Sequence, residues 1–244
     1  MALLSGVSTL SYTDLYSSFT EVPGPLEVGQ LQPGPQGKWF RLALAGGSAL
    51  VVGNVLQSSV IDTQFDDMAV PAAVASGATG NIAITNGTTT VVAHAYEGGT
   101  AEVSVTPGLG EEYTIIAHNT PTSGGTLNLV LDRPIRTAWT TSTKVTLRRS
   151  PWSGVIQAPA TTLTGSVAGV ANYAIPSGSY GFVQTAGVGA ALSDATSIIA
   201  GSAVASPSGT AGCVTLGVAG LPNVGFAMRA AASGKTIPVF ITIE

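Results

Sequence analysis

Few side chains in this sequence could do chemistry, and their spacing argues against it. Gly234-Lys235-Thr236 has the ending of a phosphate-binding loop. Such a loop needs a glycine five residues before Gly234, where Arg229 stands, and a helix after it, where Thr236-Ile237-Pro238-Val239 reads as strand. His94 and His118, with Glu97, Glu102, Glu111 or Glu112, could supply metal ligands. The two histidines are far apart and lack tight ligand spacing, so ordinary strand-end histidines are the preferred reading. Asp66-Asp67 and Glu111-Glu112 are adjacent acids, and neighbours in a strand point to opposite faces. Neither pair makes the facing carboxylates of a glycosidase. Serine and threonine are abundant, but no Gly-x-Ser-x-Gly elbow presents one as a nucleophile. Cys213, the one cysteine, excludes an intrachain disulfide and has no histidine or base near it in sequence. It reads as a buried thiol on a strand. The expectation is a non-enzymatic protein with no catalytic residue, cofactor or metal.

The elements that would position any site are strands. Lys38–Leu44 alternates, with Lys38, Phe40, Leu42 and Leu44 on one face and Trp39 and Arg41 on the other. A second strand is expected over Ala49–Leu56, around Gly53-Asn54. Asn86-Gly87, between Ile82–Thr85 and Thr88–Val92, has the sequence of a tight hairpin turn. Further short strands are expected at Val91–Tyr96, Ala101–Thr106, Tyr113–Ala117, Thr126–Leu131 and Lys144–Leu147. Later ones fall at Tyr180–Thr185, Gly212–Gly217, Gly225–Arg229 and Ile237–Ile243. In the last, Val239, Ile241 and Ile243 alternate with Phe240 and Thr242. Asp194–Ala200 reads as one helical turn. Short strands with Gly/Pro turns define an all-β class, a β-sandwich or a jelly-roll or barrel-like fold.

Charge is scarce and segregated. Only 9% of the 244 residues are charged, against about 25% in a typical soluble domain. The net charge of −4 argues against a nucleic-acid partner, which needs a basic face. From Ser150 to Phe226 the only charged residue is Asp194, yet glycine, serine and proline interrupt every apolar run, so no membrane span is expected. Between Leu42 and Leu131 there is no lysine or arginine, whereas Arg133, Arg136, Lys144, Arg148 and Arg149 follow close together. A solvated acidic face with internal pairs is the preferred reading. The sharper one sets the basic strand of one copy against the acidic region of another. Candidate interface residues are Trp39, Arg41, Arg133, Arg136, Trp139, Arg148, Arg149 and Trp152.

Residues 1–36, broken by Pro23-Gly24-Pro25 and Pro33-Gly34-Pro35, read as an extended or strand-exchanging arm. Residues 37–150 are expected to form a β domain with acidic and basic regions, and 151–244 a charge-poor one with which 37–60 could pack as one sandwich. Whether 61–150 is a separate domain or an insertion stays open at this point. Met1–Gly6 has no basic leader and Leu3-Leu4 is too short for an apolar one, which places synthesis in a cytoplasm.

Several segments, in this order, resemble a known group. Lys38-Trp39-Phe40-Arg41-Leu42 is followed by Gly47-Ser48-Ala49-Leu50 and Gly53-Asn54-Val55-Leu56. Next come Tyr96-Glu97-Gly98-Gly99, Gly108–Ile115, Leu129–Ile135 and Arg149-Ser150-Pro151-Trp152. Ser179–Gly187, Leu216-Gly217-Val218, Gly225-Phe226-Ala227 and Ala232–Val239 complete the series. Over residues 38–244 the chain resembles the decoration (cement) proteins of tailed-bacteriophage heads. The resemblance implies a virion structural protein, made in the host cytoplasm and located on the outer capsid surface. It also implies binding to the major capsid protein and self-association as a homotrimer, without enzymatic activity. The alternative is a tail-fibre or adhesin module that holds host-surface glycans on Tyr96, Trp139 or Trp152.

Overall fold

The computed structural model describes residues 12–194, 197–231 and 234–244. The chain is nearly all β, with barrel-like and sandwich sheets. It divides into two compact units. A split unit combines the chain up to Ser59 with Pro151–Glu244, and an inserted unit comprises Val60–Ser150. The expected 37–150 domain is thereby corrected, because residues 37–59 pair with strands beyond Pro151 and only 60–150 stand alone.

Sixteen strands lie in the described residues. Before the insertion come β1 (Leu31–Pro33), β2 (Trp39–Ala45) and β3 (Val55–Gln57). The insertion holds β4 (Met68–Ala69), β5 (Asn81–Thr85), β6 (Thr100–Val105), β7 (Glu112–His118), β8 (Thr126–Leu131) and β9 (Lys144–Arg148). After it come β10 (Ser153–Gln157), β11 (Val167–Ala171) and β12 (Tyr180–Leu192). The chain closes with β13 (Ala203–Ala205), β14 (Thr215–Leu216), β15 (Asn223–Ala227) and β16 (Thr236–Thr242).

In the split unit the strand order is β1-β2-β10-β3-β11-β12-β16-β15-β13-β14. A second pairing between β2 and β12 turns β2-β10-β3-β11-β12 into a closed ring. The other half, β12-β16-β15-β13-β14, returns to the end of β12 through a bridge between Ser193 and Val214. Two barrels therefore share β12, and closure removes the free edges that short strands would otherwise expose. The first barrel is filled by Ala43, Ala45, Leu56, Val155, Ala171 and Val183. The second holds Ala191, Val204, Val224, Ile237, Val239 and Ile241. Small interior side chains suit narrow barrels, which accounts for the Ala/Val/Gly-rich composition. At Gly187, midway along β12, φ is +87° and an added Cβ would lie 3.0 Å from Lys38 Cα. Only glycine lets the strand pass from one barrel to the other there.

Residues 12–36 belong to this unit rather than extending from it, which corrects the expected arm over its described part. Leu15, in a short helix over Tyr12–Leu15, is fully buried with Phe40, Leu42 and Phe182. Phe19, Val22 and Leu26 pack against the same cluster, and Phe19 bridges to Tyr180. Residues 1–11 of the expected arm lie outside the described residues. So do Ala195 and Thr196 of the expected helical turn at 194–200, and Ala232 and Ser233 of the last motif. The described part of 194–200 is not helical.

The inserted unit is a six-stranded sheet ordered β4-β9-β6-β7-β8-β5 around its own core, which includes Phe65, Tyr96, Tyr113, Ile115, Leu127, Leu129, Trp139 and Leu147. Tyr113 and Trp139 meet edge to face at 5.9 Å. The Asn86-Gly87 hairpin is corrected: β5 pairs instead with β8, and Val91 and Val92 form no strand. Asn86 is buried and its Nδ2 donates to the carbonyls of Thr89 (2.8 Å) and Thr122 (3.0 Å), stapling a loop rather than turning a hairpin. The Val91–Tyr96 strand is likewise absent, interrupted by His94 at φ +60°. Ala49–Leu56 is a strand only from Val55, because Val51–Asn54 turns at Gly53. Gly212–Gly217 shortens to Thr215–Leu216, since Cys213 N closes a turn onto Thr210 O.

Candidate interaction face

The side chains that could have done chemistry are held apart and engaged locally. His118 Nδ1 lies 2.7 Å from the Asn119 carbonyl, and Nε2 accepts from the Tyr96 backbone N–H at 3.2 Å. That geometry assigns the proton to Nδ1. His94 is exposed and pairs with Glu97 at 2.7 Å. No group of three His, Cys, Asp or Glu residues able to hold a metal occurs among the described residues. Asp66 pairs with Arg148, while its neighbour Asp67 accepts from Ser104 Oγ at 2.6 Å. Glu111 accepts from Tyr113 Oη at 2.6 Å and from Thr137 Oγ1 at 2.5 Å. Gly234 N and Lys235 O both bond to Ser193, and β16 starts at Thr236, so that segment is a loop entering a strand. Cys213 is buried, and burial together with the Asp194 charge pushes its thiol up, away from a reactive thiolate.

The eight candidate interface residues divide between the two units, three in the split unit and five in the inserted one. In the split unit, Arg41 Nε donates to Glu244 at 2.6 Å, its NH1 donates to the Gly29 carbonyl, and its guanidinium lies 4.3 Å above the Trp152 ring. Trp152 Nε1 donates to Ala168 O at 3.1 Å. Both residues brace their own unit. Trp39, by contrast, is 41% exposed. In the inserted unit, Trp139 is 1% exposed and belongs to the core, which corrects its expected place at an interface. Arg133 pairs with Asp132 and lies 5.1 Å over Tyr113. Arg149 lies 5.4 Å over Tyr96. Arg136 is exposed, and its backbone N–H donates to Tyr113 Oη. Arg148 meets Asp66 of the same copy, as the internal-pair reading of the charges requires.

What sequence reasoning missed is an uncharged outer face on the second barrel. In β16, Ile237, Val239 and Ile241 point inward, so Pro238, Phe240 and Thr242 point outward. Register carries that face across three strands. Phe240 stands opposite Val188 of β12 on one side and opposite Phe226 of β15 on the other. Phe226 in turn faces Ala203 of β13. On either side of this row lie Ala190 with Pro238, and Trp39 with Ala186 and Thr242. Met228, whose backbone N–H donates to Pro238 O, extends the apolar side. Trp39, Val188, Phe226, Met228 and Phe240 are 41%, 41%, 46%, 52% and 48% exposed. None of these outward positions is ionisable. The signal was present in the alternation of β16, where an aromatic occupies a position that a solvated sheet gives to a polar residue.

Family models, curated proteins and solved structures all yield no match to the chain. Fold and face define the class: a charge-poor, all-β protein with a neutral sheet surface.

Proposed function

We propose that the chain is a non-enzymatic structural protein of a virion: a decoration protein that joins the outer surface of a bacteriophage head. It stabilises the expanded shell by contacts with the major capsid protein and with other copies of itself, as a trimer. The observation that carries the reading is the outer face of the second barrel. Four large apolar side chains, Val188, Phe226, Met228 and Phe240, lie about half-exposed there, and Trp39 of β2 joins them across Ala186, with no charge among the five. Apolar surface of this kind marks sites of association, and burying it releases free energy in proportion to area without any turnover. Closed barrels suit a mechanical role, because their backbone pairing leaves little to unfold locally.

The adhesin reading draws less support. It calls on Tyr96, Trp139 or Trp152 to stack on sugar rings; the first two are 2% and 1% exposed, and the half-buried Trp152 ring already carries the Arg41 guanidinium at 4.3 Å. The test is co-sedimentation of purified protein with expanded heads that lack decoration. Saturable binding, and heads that then survive higher temperature, are expected. Absence of binding to such heads, together with retention on a glycan array, would transfer the protein to the adhesin class.

A further inference from the structure

We infer that His118 is a proton-operated latch: neutral, it holds the loop over residues 92–97 closed on the inserted unit, and protonation releases that loop. The latch operates in the isolated chain, whatever the chain binds. The sequence has two histidines, and both act on this one loop. His118, the last residue of β7, accepts the Tyr96 backbone N–H on Nε2 at 3.2 Å, while its Nδ1–H is directed to the Asn119 carbonyl at 2.7 Å. Only the neutral imidazole with its proton on Nδ1 satisfies both bonds. From Val92 to Glu97 the Tyr96 N–H is, among the described residues, the one backbone donor whose bond leaves the loop; the Ala95 N–H bonds back to Val92. A single acceptor nitrogen thus fastens the backbone of this loop.

Protonation reverses the bond. A charged His118 donates from both nitrogens, so Nε2–H points at the Tyr96 N–H and strands it. Closure is therefore complete at high pH and is lost as pH falls. Among side chains, histidine is the one whose ordinary charge change falls between pH 5 and 8. The other histidine cannot take over. His94 gains charge in the same interval and draws Glu97 at 2.7 Å, but that pair is exposed, lies within the loop and ties it to nothing else. His94 also sits at φ +60°, a backbone strain that opening relieves. Few other charges face the latch. On β7 itself Glu112 is at the opposite end. β8, whose Leu129 stands opposite His118, carries no ionisable residue, and neither does the 119–125 turn. Beyond the loop, Arg149, Asp62 and Arg148 act on Tyr96. Arg149 already lies 5.4 Å over the Tyr96 ring, and a second cation against the same ring is disfavoured. Opening bares Tyr96 and Phe65, whose rings meet at 4.8 Å and are each 2% exposed in the closed loop. Acid thereby uncovers apolar surface that neutral pH keeps shut.

The test is amide hydrogen exchange of the full chain, read by mass spectrometry at pH 8 and pH 5 and corrected for the intrinsic effect of pH on exchange. Peptides from β16 serve as the internal reference. The expected result is that protection of residues 92–97 falls at least tenfold at the lower pH while that of β16 is unchanged. His118→Gln offers an acceptor oxygen near the Nε2 position and does not titrate, so it should hold the loop equally at both pH values. His94→Gln should keep the full native fall. No pH effect in the native chain, a fall that survives in His118→Gln, or one that disappears in His94→Gln overturns the inference. Should His118→Gln not fold, the imidazole nitrogen shifts of the native chain decide. Nδ1–H at high pH, with a second proton gained over the interval in which protection falls, sustains the latch. Nε2–H at high pH, or a second proton gained with protection intact, sinks it.

Discussion

The two units solve the same problem, a stable β core, with different surfaces. The inserted unit spans 91 residues, Val60–Ser150, and carries thirteen charged ones: eight acids from Asp62 to Asp132 and five bases from Arg133 to Arg149. The split unit is larger, yet its charged residues are Asp14, Glu21, Glu27, Lys38, Arg41, Asp194, Arg229, Lys235 and Glu244. The inserted unit fills its core with large side chains, including Trp139, Tyr113, Tyr96 and Phe65. The double barrel uses many alanines and valines inside and leaves Phe226 and Phe240 outside. A narrow closed barrel has no room for rings, whereas a sheet folded over a wider core needs them. The difference assigns roles: the charged unit can meet water on its own terms, and the neutral one has surface to bury.

The largest effect should come from the inserted core. Trp139→Ala removes a fully buried indole that packs on Tyr113, at a cost of about 3–5 kcal/mol. Because each unit has its own core, calorimetry should show the inserted unit's transition falling while the other stays in place. A single transition that moves as a whole would break the comparison by making the two cores one cooperative body.

The split unit has its own sensitive point in Tyr173. Its Oη donates to the Ser17 carbonyl and accepts from the Phe182 backbone N–H at 3.1 Å, tying the N-terminal segment to β12. Tyr173→Phe strands both partners and should cost about 1–3 kcal/mol, read as earlier proteolysis within residues 12–36. Alkali attacks both units alike. Burial pushes Tyr173, and Tyr96 in the inserted unit, up to about 12 from an ordinary 10.0. A phenol with a raised folded value adds stability that is full below pH 10 and is lost as pH rises through 12. Urea midpoints of both transitions should therefore fall between pH 10 and 12.

Much of the fold was legible because it is written in local alternation. The core of β2, β6, β7, β8, β9 and β16 follows from residues that alternate over several positions. Runs of small residues gave no such cue: β10 and β11 pass through Ser153-Gly154-Val155 and Val167-Ala168-Gly169, where the lack of contrast between neighbours hides the period. Asn86-Gly87 misled for a related reason, since a turn signal says where the chain bends but not which strand it then meets. The exposed apolar face needed register. Val188, Phe226 and Phe240 are far apart in sequence, and only pairing across β12, β16 and β15 sets them in one row. Trp139 and Trp39 are the same residue type, and nothing local told the buried one from the exposed one.

Arginine separates the units on a finer scale. Arg41 combines the Glu244 pair, the Gly29 carbonyl and the Trp152 ring in a partly shielded setting. Arg41→Ala should cost about 1–2 kcal/mol, summing modest hydrogen-bond and cation–π terms. Arg148 and Asp66 are both over a third exposed, and Arg148→Ala should cost about 0.2–1 kcal/mol, fading in high salt. Denaturant titrations at low and high salt check the pair. If Arg148→Ala proves the costlier, the inserted unit depends on its charges for stability and not only for solubility.

Acid should act on the inserted unit through Glu111. Partial burial favours the neutral carboxyl, but the hydrogen bonds from Thr137 and Tyr113 and the nearby Arg136 charge outweigh it and hold the group below its ordinary 4.5. Such a carboxylate binds its proton less readily folded than unfolded. It adds stability above pH 4.5, and that stability drains as pH falls below 4.5 through the folded value. The group is only partly buried, so the effect is small, yet its position makes it informative. Glu111 ties β7's entry to Thr137 beside the Trp139 loop. Between pH 5 and 3 the inserted unit's transition should therefore drop more in the native chain than in Glu111→Gln, which keeps the acceptor oxygen and loses the titration. Equal slopes would show that this network orders the loop without storing proton-linked stability.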